Sequence, residues 1–180
     1  PDENHKFAHV IPNFDMSRVM TRLVAKEKGI LFSCNMEGGE KVIFPDRPLH
    51  QIWFDNETYF AVDAHHVGET KNICRYQPDG TMLETLAGPG NHIDASLDRQ
   101  WYVSDCDYGQ TPITIRLYRR GETEPVAVLD QHNFDQATWR PFGGHSNPVF
   151  SRDGNYVYFN RPSGNNQLKA VRLDITSLIT

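Results

Sequence analysis

A histidine followed by a short strand, a turn and a second strand recurs along the chain, and this repeat constrains the fold more than any other feature. The clearest copy runs from residue 145 to residue 159, with Asp153-Gly154 in the turn and aromatic or β-branched residues on both sides. Glycine permits the positive φ of a tight turn, and aspartate bonds its own backbone there. The copies begin at histidines separated by 41, 42 and 53 residues, namely His9, His50, His92 and His145.

A repeat of about 40 to 50 residues with four short strands is typical of the blades of a β-propeller. We therefore predict that the 180 residues form a single all-β propeller portion. The four predicted blades are four-stranded antiparallel sheets at about 9–45, 50–87, 92–129 and 145–175. Because the last blade lacks a clear outer strand, we expect a larger, seven-bladed ring whose N-terminal half lies upstream. A four-bladed ring closed by Pro1–Ala8 is the alternative.

Charge and composition argue against several classes of partner. A net charge of −5 with mixed signs leaves no basic stripe, so we do not expect nucleic acid as a partner. No apolar run approaches the roughly 20 residues that span a bilayer, so we do not expect a membrane partner either. The cysteines are Cys34, Cys74 and Cys106, and their spacing indicates no disulfide framework.

Polar residues are expected to gather at one edge of the blades. The first strand of a blade lines the central channel, and its start lies beside the end of the second strand, so the four histidines should surround one mouth of the channel. Arg22, Asp63 and Asp105 follow the first three histidines by thirteen residues, and Asn160 follows the last by fifteen. Such residues do not stabilise strand ends, so we interpret them as a site.

The histidines predict a metal centre at this edge. Imidazole and thiolate bind zinc well, and four protein ligands form the closed set of a structural site. We predict that one zinc ion is bound by His50, His92, His145 and Cys106. Manganese or calcium is less favoured. Two aspartates are alternative oxygen ligands: Asp94 and Asp105. In the competing interpretation the histidines bond backbone groups at the strand starts, and Cys106 is a buried thiol.

Three sequence segments resemble the C-terminal half of β-propeller polysaccharide lyases: Leu49–Phe54, Asn91–Asp98 and His145–Gly154. Both the oligogalacturonate lyases and the ulvan lyases share this likeness. The segment His9–Asp15 also resembles the preceding blade of the oligogalacturonate enzymes. The resemblance implies an enzyme that cleaves an anionic, uronate-containing polysaccharide by β-elimination.

The resemblance to oligogalacturonate lyases is incomplete at their manganese site. That site would map onto His50 and His145, while its other two ligands fall on Phe142 and Asn147. Because phenylalanine cannot bind a metal, the ulvan lyases, with a zinc site of histidines and a cysteine, are the favoured match. The expected substrate is a sulfated, ulvan-type polysaccharide, with oligogalacturonate as the alternative. Such an enzyme is expected to be secreted or periplasmic.

β-Elimination requires a cation beside the uronate carboxylate and a base that takes the C5 proton. In the resembling family an arginine and a histidine or tyrosine fill these roles, and most of them would lie upstream of residue 1. Within this chain His9 and Arg22 are the predicted catalytic residues, because they fall on the correct edge. His132, in the connection 130–144, is expected to be solvated.

Two functions of other classes stay open. A non-enzymatic binding propeller of the TolB or WD type would have the same turns around a metal-free channel. A hydrolase would need paired carboxylates or a Ser-His-Asp set, and the sequence offers no convincing nucleophile.

Overall fold

The computed structural model describes residues 6–24, 29–44, 49–62, 72–105, 112–133, 145–163 and 167–179. The regular elements of these ranges are strands. They are β1 (Lys6–Pro12), β2 (Arg18–Val24), β3 (Gly29–Asn35), β4 (Val42–Ile43), β5 (Leu49–Trp53), β6 (Tyr59–Val62), β7 (Asn72–Tyr76), β8 (Met82–Pro89), β9 (Ile93–Ala95), β10 (Trp101–Ser104), β11 (Ile113–Arg119), β12 (Ala127–His132), β13 (Val149–Phe150), β14 (Tyr156–Pro162) and β15 (Leu168–Asp174). Within the described ranges, no helix has the length and apolar character that a membrane crossing requires.

Consecutive strands are neighbours in four separate sheets. The orders are β1-β2-β3-β4, β5-β6-β7-β8, β9-β10-β11-β12 and β13-β14-β15. Pairs such as β2–β3 and β14–β15 run antiparallel over seven residues each. This up-and-down order is that of β-propeller blades and confirms the predicted fold class. In the part of the chain that the structure describes, the fourth blade has three strands, as expected from its missing outer strand.

The turn between the first two strands provides a common reference point in the four blades. One backbone N–H closes each turn by bonding a carbonyl at the start of the second strand, at 2.8 to 2.9 Å. These N–H groups belong to Asn13, Phe54, Ser96 and Ser151. In the fourth blade Gly154 has a φ of 76°, and Asp153 accepts the Asn155 N–H at 3.1 Å, as predicted for an Asp-Gly turn.

Four residues before this reference point, the first strand of the first and second blades carries one extra residue. The register of β1 against β2 shifts at His9, and the register of β5 against β6 shifts at His50. These two histidines have φ values of 55° and 53°, in the left-handed region that residues other than glycine rarely adopt. Each shift is a β-bulge, which places two residues of one strand opposite one residue of its neighbour.

The pairing is also irregular at the corresponding positions of the third and fourth blades, although His92, unlike Asn147, does not have a positive φ. The Asp105 carbonyl accepts the Asn91 N–H at 3.0 Å, and the Asp105 N–H donates to the His92 carbonyl at 3.2 Å, so one residue faces two. In the fourth blade the Asn160 N–H donates to the Ser146 carbonyl at 2.8 Å. Asn147 follows with a φ of 43°.

The prediction that His145 is equivalent to the other three histidines is therefore wrong, and the alignment of the fourth blade is shifted by two residues. The position that corresponds to His9, His50 and His92 is occupied by Asn147, and His145 precedes it in the segment that leads into β13. The thirteen-residue spacing from Asn147 to Asn160 matches that from His92 to Asp105, which supports the corrected alignment.

The chain divides into two compact units. Unit 1 comprises Pro1–Glu69 and Cys74–Glu84, and unit 2 comprises Thr70–Ile73 and Thr85–Thr180. The core of unit 1 is aromatic: the Tyr59 ring lies between Phe44 and Tyr76, at centroid distances of 4.7 and 5.4 Å. In unit 2 one core cluster is mainly aliphatic, with Val103, Ile115, Leu117, Val157 and Ile175 fully buried, and the unit also buries the tyrosines Tyr102 and Tyr118.

Candidate functional site

The bulge of the third blade holds an imidazole against a buried carboxylate. Asp105 Oδ1 accepts the backbone N–H of His92 at 2.7 Å, and Asp105 Oδ2 lies 2.8 Å from His92 Nδ1. This carboxylate contact favours the tautomer with a proton on Nδ1, which leaves the Nε2 lone pair for another partner, while Asn91 Nδ2 lies 3.2 Å from the same Nδ1. The bulge brings these groups together, since it places two residues of the first strand opposite Asp105.

A second imidazole lies beside the first. The His145 ring centroid is 4.8 Å from that of His92, with the ring planes at 84°. Burial lowers the pKa of His145, the neighbouring His92 lowers it further, and Asp105 partly opposes both effects. The neutral form that binds metal ions is therefore favoured at His145. Asn160 Nδ2 donates to the His145 carbonyl at 3.1 Å and holds this segment against β14.

The pair fits a divalent metal ion by its chemistry and spacing. Two imidazoles that bind one ion at about 2.0–2.1 Å have ring centres roughly 5 Å apart, and the observed distance is 4.8 Å. A carboxylate behind a ligating histidine fixes its tautomer and raises its basicity, which is the role open to Asp105. Within the described ranges, however, no group of three histidine, cysteine or acidic residues is placed to hold a metal ion.

The other two predicted ligands are not part of this pair: one belongs to the other compact unit, and one lies outside the described residues. His50 is half-buried in unit 1, whereas His92 and His145 belong to unit 2. Cys106 lies outside the described residues, as do Asp63 and Phe142. The four-ligand zinc site therefore stays a prediction, of which the structure brings together two residues.

Asp94, the other alternative oxygen ligand, has a different contact. Its Oδ2 accepts the backbone N–H of Phe150 at 2.8 Å and so joins β9 to the start of the fourth blade. Burial raises the pKa of Asp94, while the N–H groups of Phe150 and Ala95 and the charge of Arg99 lower it. This contact gives Asp94 a structural role in the described part of unit 2.

The two residues predicted to be catalytic lie in the first blade. His9 is exposed at the bulge, with the backbone strain described above. Arg22 is half-buried, and its Nη2 donates to Oε1 of the buried Gln51 at 3.2 Å. Their catalytic roles stay predictions.

Unit 2 also contains a Ser-His-Asp set that sequence analysis missed. Asp130 Oδ2 lies 2.7 Å from His132 Nδ1, and His132 Nε2 lies 3.1 Å from Ser146 Oγ. The expectation that His132 is solvated is wrong: β12 extends through this residue, and its ring is buried and stacks on Phe159. Ser146 is only 1% exposed. A hydrolase needs an accessible nucleophile, so this set does not support that function.

A groove of about 370 Å³ lies in unit 1, at the turn edge of its blades. Its lining includes Arg18, Asn56, Thr58 and Gln77. Arg18 Nη2 already donates to the Glu40 carbonyl at 2.7 Å. The lining of the groove contains none of the predicted site residues.

No protein-family model and no curated protein matches this sequence. Solved β-propeller structures are similar to it. An oligogalacturonate lyase from Vibrio parahaemolyticus is 16% identical with a TM-score of 0.71, over 97% of this chain and 50% of that chain. An oligogalacturonate lyase in complex with manganese is 15% identical with a TM-score of 0.66, over 96% and 50%. TolB from Acinetobacter baumannii is 13% identical with a TM-score of 0.63, over 96% and 42%.

These comparisons define the class as a β-propeller. The chain spans about half the length of the oligogalacturonate lyases that it resembles. At such low identity the likeness concerns the fold alone, so the ulvan lyase resemblance and the lyase activity stay proposals.

Proposed function

We propose that this chain is part of a polysaccharide lyase that binds a divalent cation through His92 and His145 and cleaves a uronate-containing polysaccharide by β-elimination. The observation that carries the proposal is the pair of imidazoles 4.8 Å apart, one of them backed by a buried carboxylate. A carboxylate behind one of two adjacent imidazoles is the arrangement expected of a pair of metal ligands.

The chemistry follows from what each side chain can do. A bound divalent cation supplies positive charge that neutralises a uronate carboxylate and so acidifies the C5 proton. Asp105 keeps the His92 proton on Nδ1 and leaves Nε2 as a donor atom for the cation. The roles predicted for Arg22 and His9, binding of substrate carboxylate or sulfate and acceptance of the C5 proton, are a separate proposal that concerns unit 1.

Asn147 favours one class of substrate over the other. It stands where the resemblance to oligogalacturonate lyases would require a second histidine ligand, which favours a sulfated, ulvan-type substrate over pectin fragments. Zinc is the first candidate ion. Manganese is the second, since one of the similar structures is an oligogalacturonate lyase in complex with manganese. The proposed partners are the anionic polysaccharide and the upstream half of the same propeller, in a secreted or periplasmic protein.

Titration calorimetry with Zn²⁺ and Mn²⁺ tests the metal site on the purified chain. Asp105→Asn should weaken the affinity about 10- to 100-fold, the usual loss when the partner of a ligating histidine is removed. Ser151→Ala is the matched control, because Ser151 bonds Asp153 in the turn at the other end of β13. Unchanged affinity in Asp105→Asn, or no binding by the unaltered chain, would contradict the proposed site.

Absorbance near 235 nm tests the reaction, because β-elimination leaves an unsaturated uronate. The complete protein should produce this signal from ulvan or from polygalacturonate, and the preferred substrate decides between the two lyase classes. A folded, metal-loaded protein that yields no product from either polysaccharide would exclude the lyase.

A binding propeller is the second candidate. The fold likeness to TolB favours it, as does the lack of a three-ligand group among the described residues. A protein of this class would bind neither ion, would form no unsaturated product, and would bind its partner equally well after His92→Ala.

A further inference from the structure

We propose that Asp130 and His132 are positioning residues, which set the orientation of His145 through a hydrogen bond to its neighbour Ser146. We refer to the hydrogen-bonded set Asp130–His132–Ser146 as the relay. Its effect on metal binding rests on the proposed function, whereas its effect on the His145 ring does not.

The proton positions in the relay follow from its geometry. The Asp130 carboxylate, 2.7 Å from His132 Nδ1, must accept a hydrogen bond, so Nδ1 is protonated. In the neutral ring Nε2 then accepts the Ser146 hydroxyl proton, at 3.1 Å. The near-parallel Phe159 ring, at 6.3 Å and 5°, fixes the plane of the imidazole. Arg161 Nη1 lies 3.5 Å from Asp130 Oδ1 and orients the carboxylate.

The segment that carries His145 needs such an anchor. Residues 145–148 precede β13 and have no ladder of sheet hydrogen bonds. Asn160 holds their main chain by two bonds, to the carbonyls of His145 and Ser146, at 3.1 and 2.8 Å. The relay adds a bond from β12 to a side chain of this segment, the hydroxyl of Ser146, which is fully enclosed.

Anchors on two successive residues hold the backbone from which the His145 side chain extends. The Asn160 bonds hold the two carbonyls, and the bond from His132 holds the Ser146 side chain. A ligand must stay within about 0.5 Å of its working position, so the loss of this bond should affect the site more than it affects the fold. The relay is remote from the His92 side of the pair, where Asp105 performs the corresponding task.

Nuclear magnetic resonance of the histidine rings tests the relay without any metal. The edge-to-face contact of His92 and His145 should shift their ring-proton signals and give a cross-relaxation signal between the rings. In Ser146→Ala and His132→Phe the shifts should fall toward free-imidazole values and the cross-relaxation should weaken. His132→Phe retains an aromatic ring against Phe159, and Ser151→Ala is the control that should leave the signals in place.

Calorimetry with Zn²⁺ or Mn²⁺ gives the second measurement. In Ser146→Ala the metal affinity should fall about tenfold, which is the lower end of the loss seen when a residue that supports a metal ligand is removed. The melting temperature of Ser146→Ala should stay close to that of Ser151→Ala. If the ring signals of Ser146→Ala and His132→Phe match those of the unaltered chain, the positioning role is wrong, even when Asp105→Asn weakens metal binding. If the ring signals change but the unaltered chain binds neither ion, the positioning role stands and the proposed metal function fails.

Discussion

The two compact units build the same bulge and fill it with different chemistry. In unit 1 the bulge positions carry His9 and His50 at positive φ, and the nearby Arg22 bonds the amide of Gln51. In unit 2 the bulge holds His92 against the Asp105 carboxylate. The bulge is therefore a property of the backbone, and the residue opposite it decides whether an imidazole is oriented for chemistry.

The units also differ in how they stabilise the same type of sheet. Unit 1 packs stacked aromatic rings around Tyr59, whereas unit 2 packs aliphatic side chains around Leu117. Both arrangements keep the order of the strands, because a core tolerates different apolar side chains when volume and pattern are maintained. Substitutions in the cores, in an ion-pair cluster and at a bulge can test how far this difference extends.

Truncation of the two cores should have the largest effect. Tyr59 is 1% exposed within an aromatic stack, so Tyr59→Ala should lower the free energy of unfolding by about 3–5 kcal/mol. Leu117→Ala should cost about 2–5 kcal/mol. Denaturant unfolding measures both, and hydrogen exchange should show the loss of protection mainly in the unit that carries the substitution. Equal loss of protection in both units would show that the two cores unfold as one.

An ion-pair cluster in unit 1 should give a smaller, pH-dependent effect. Arg75 donates to Asp55 at 2.9 Å and to Glu84 at 3.0 Å, and its guanidinium lies over Phe54. Since the partners are partly exposed, Arg75→Met should cost about 1–2 kcal/mol at pH 7. Arg119→Met in unit 2, which removes the contact of an exposed guanidinium with Trp101, is the control and should cost less.

Acid should reduce the effect of Arg75→Met. Burial pushes the pKa of Asp55 upward, but hydrogen bonds from Glu57 and Thr58, together with the Arg75 charge, bring it below the ordinary value. A lowered pKa contributes stability above the unfolded value of about 3.9, and this contribution disappears as the pH falls through the folded value. The difference between Arg75→Met and the unaltered chain should therefore shrink below about pH 4. A constant difference from pH 7 to pH 3 would rule out this linkage.

The bulge itself should give the smallest effect when the new residue suits its backbone. Asparagine adopts the left-handed region readily and already occupies the corresponding position as Asn147. His9→Asn should change the free energy of unfolding by less than about 0.5 kcal/mol, whereas His9→Val should cost about 1–2 kcal/mol. Thermal unfolding checks both, and equal stability of the two variants would mean that the bulge relaxes when its residue changes.

The repeat in the sequence was sufficient to predict the blades, but it did not align the first strand of the fourth blade correctly with those of the other three. The repeated strand-turn-strand pattern predicted the fold class, because strand alternation and Asp-Gly turns are local properties. The interval before His145 includes the long connection 130–144, and spacing alone cannot show how many of its residues precede the bulge. His145 was therefore aligned where Asn147 stands.

The relay was missed because its members meet only through the fold. The predicted outer strand of the third blade ended near residue 129, whereas β12 continues to His132. Asp130 and His132 are two residues apart, so they share one side of that strand, and this spacing was a usable signal. Their contact with Ser146, fourteen residues further on, depends on tertiary structure.

The side chains at these irregular positions can differ from blade to blade while the strands keep their pairing. The side chain of the extra residue in a bulge lies beside the regular ladder, so replacing it leaves the pairing of the strands intact. Asn91, His92 and Asp105 of the third blade correspond to the positions of Ala8, His9 and Arg22 in the first. The corresponding positions thus hold a histidine at positive φ in the first blade and a carboxylate-backed imidazole in the third, within the same order of strands.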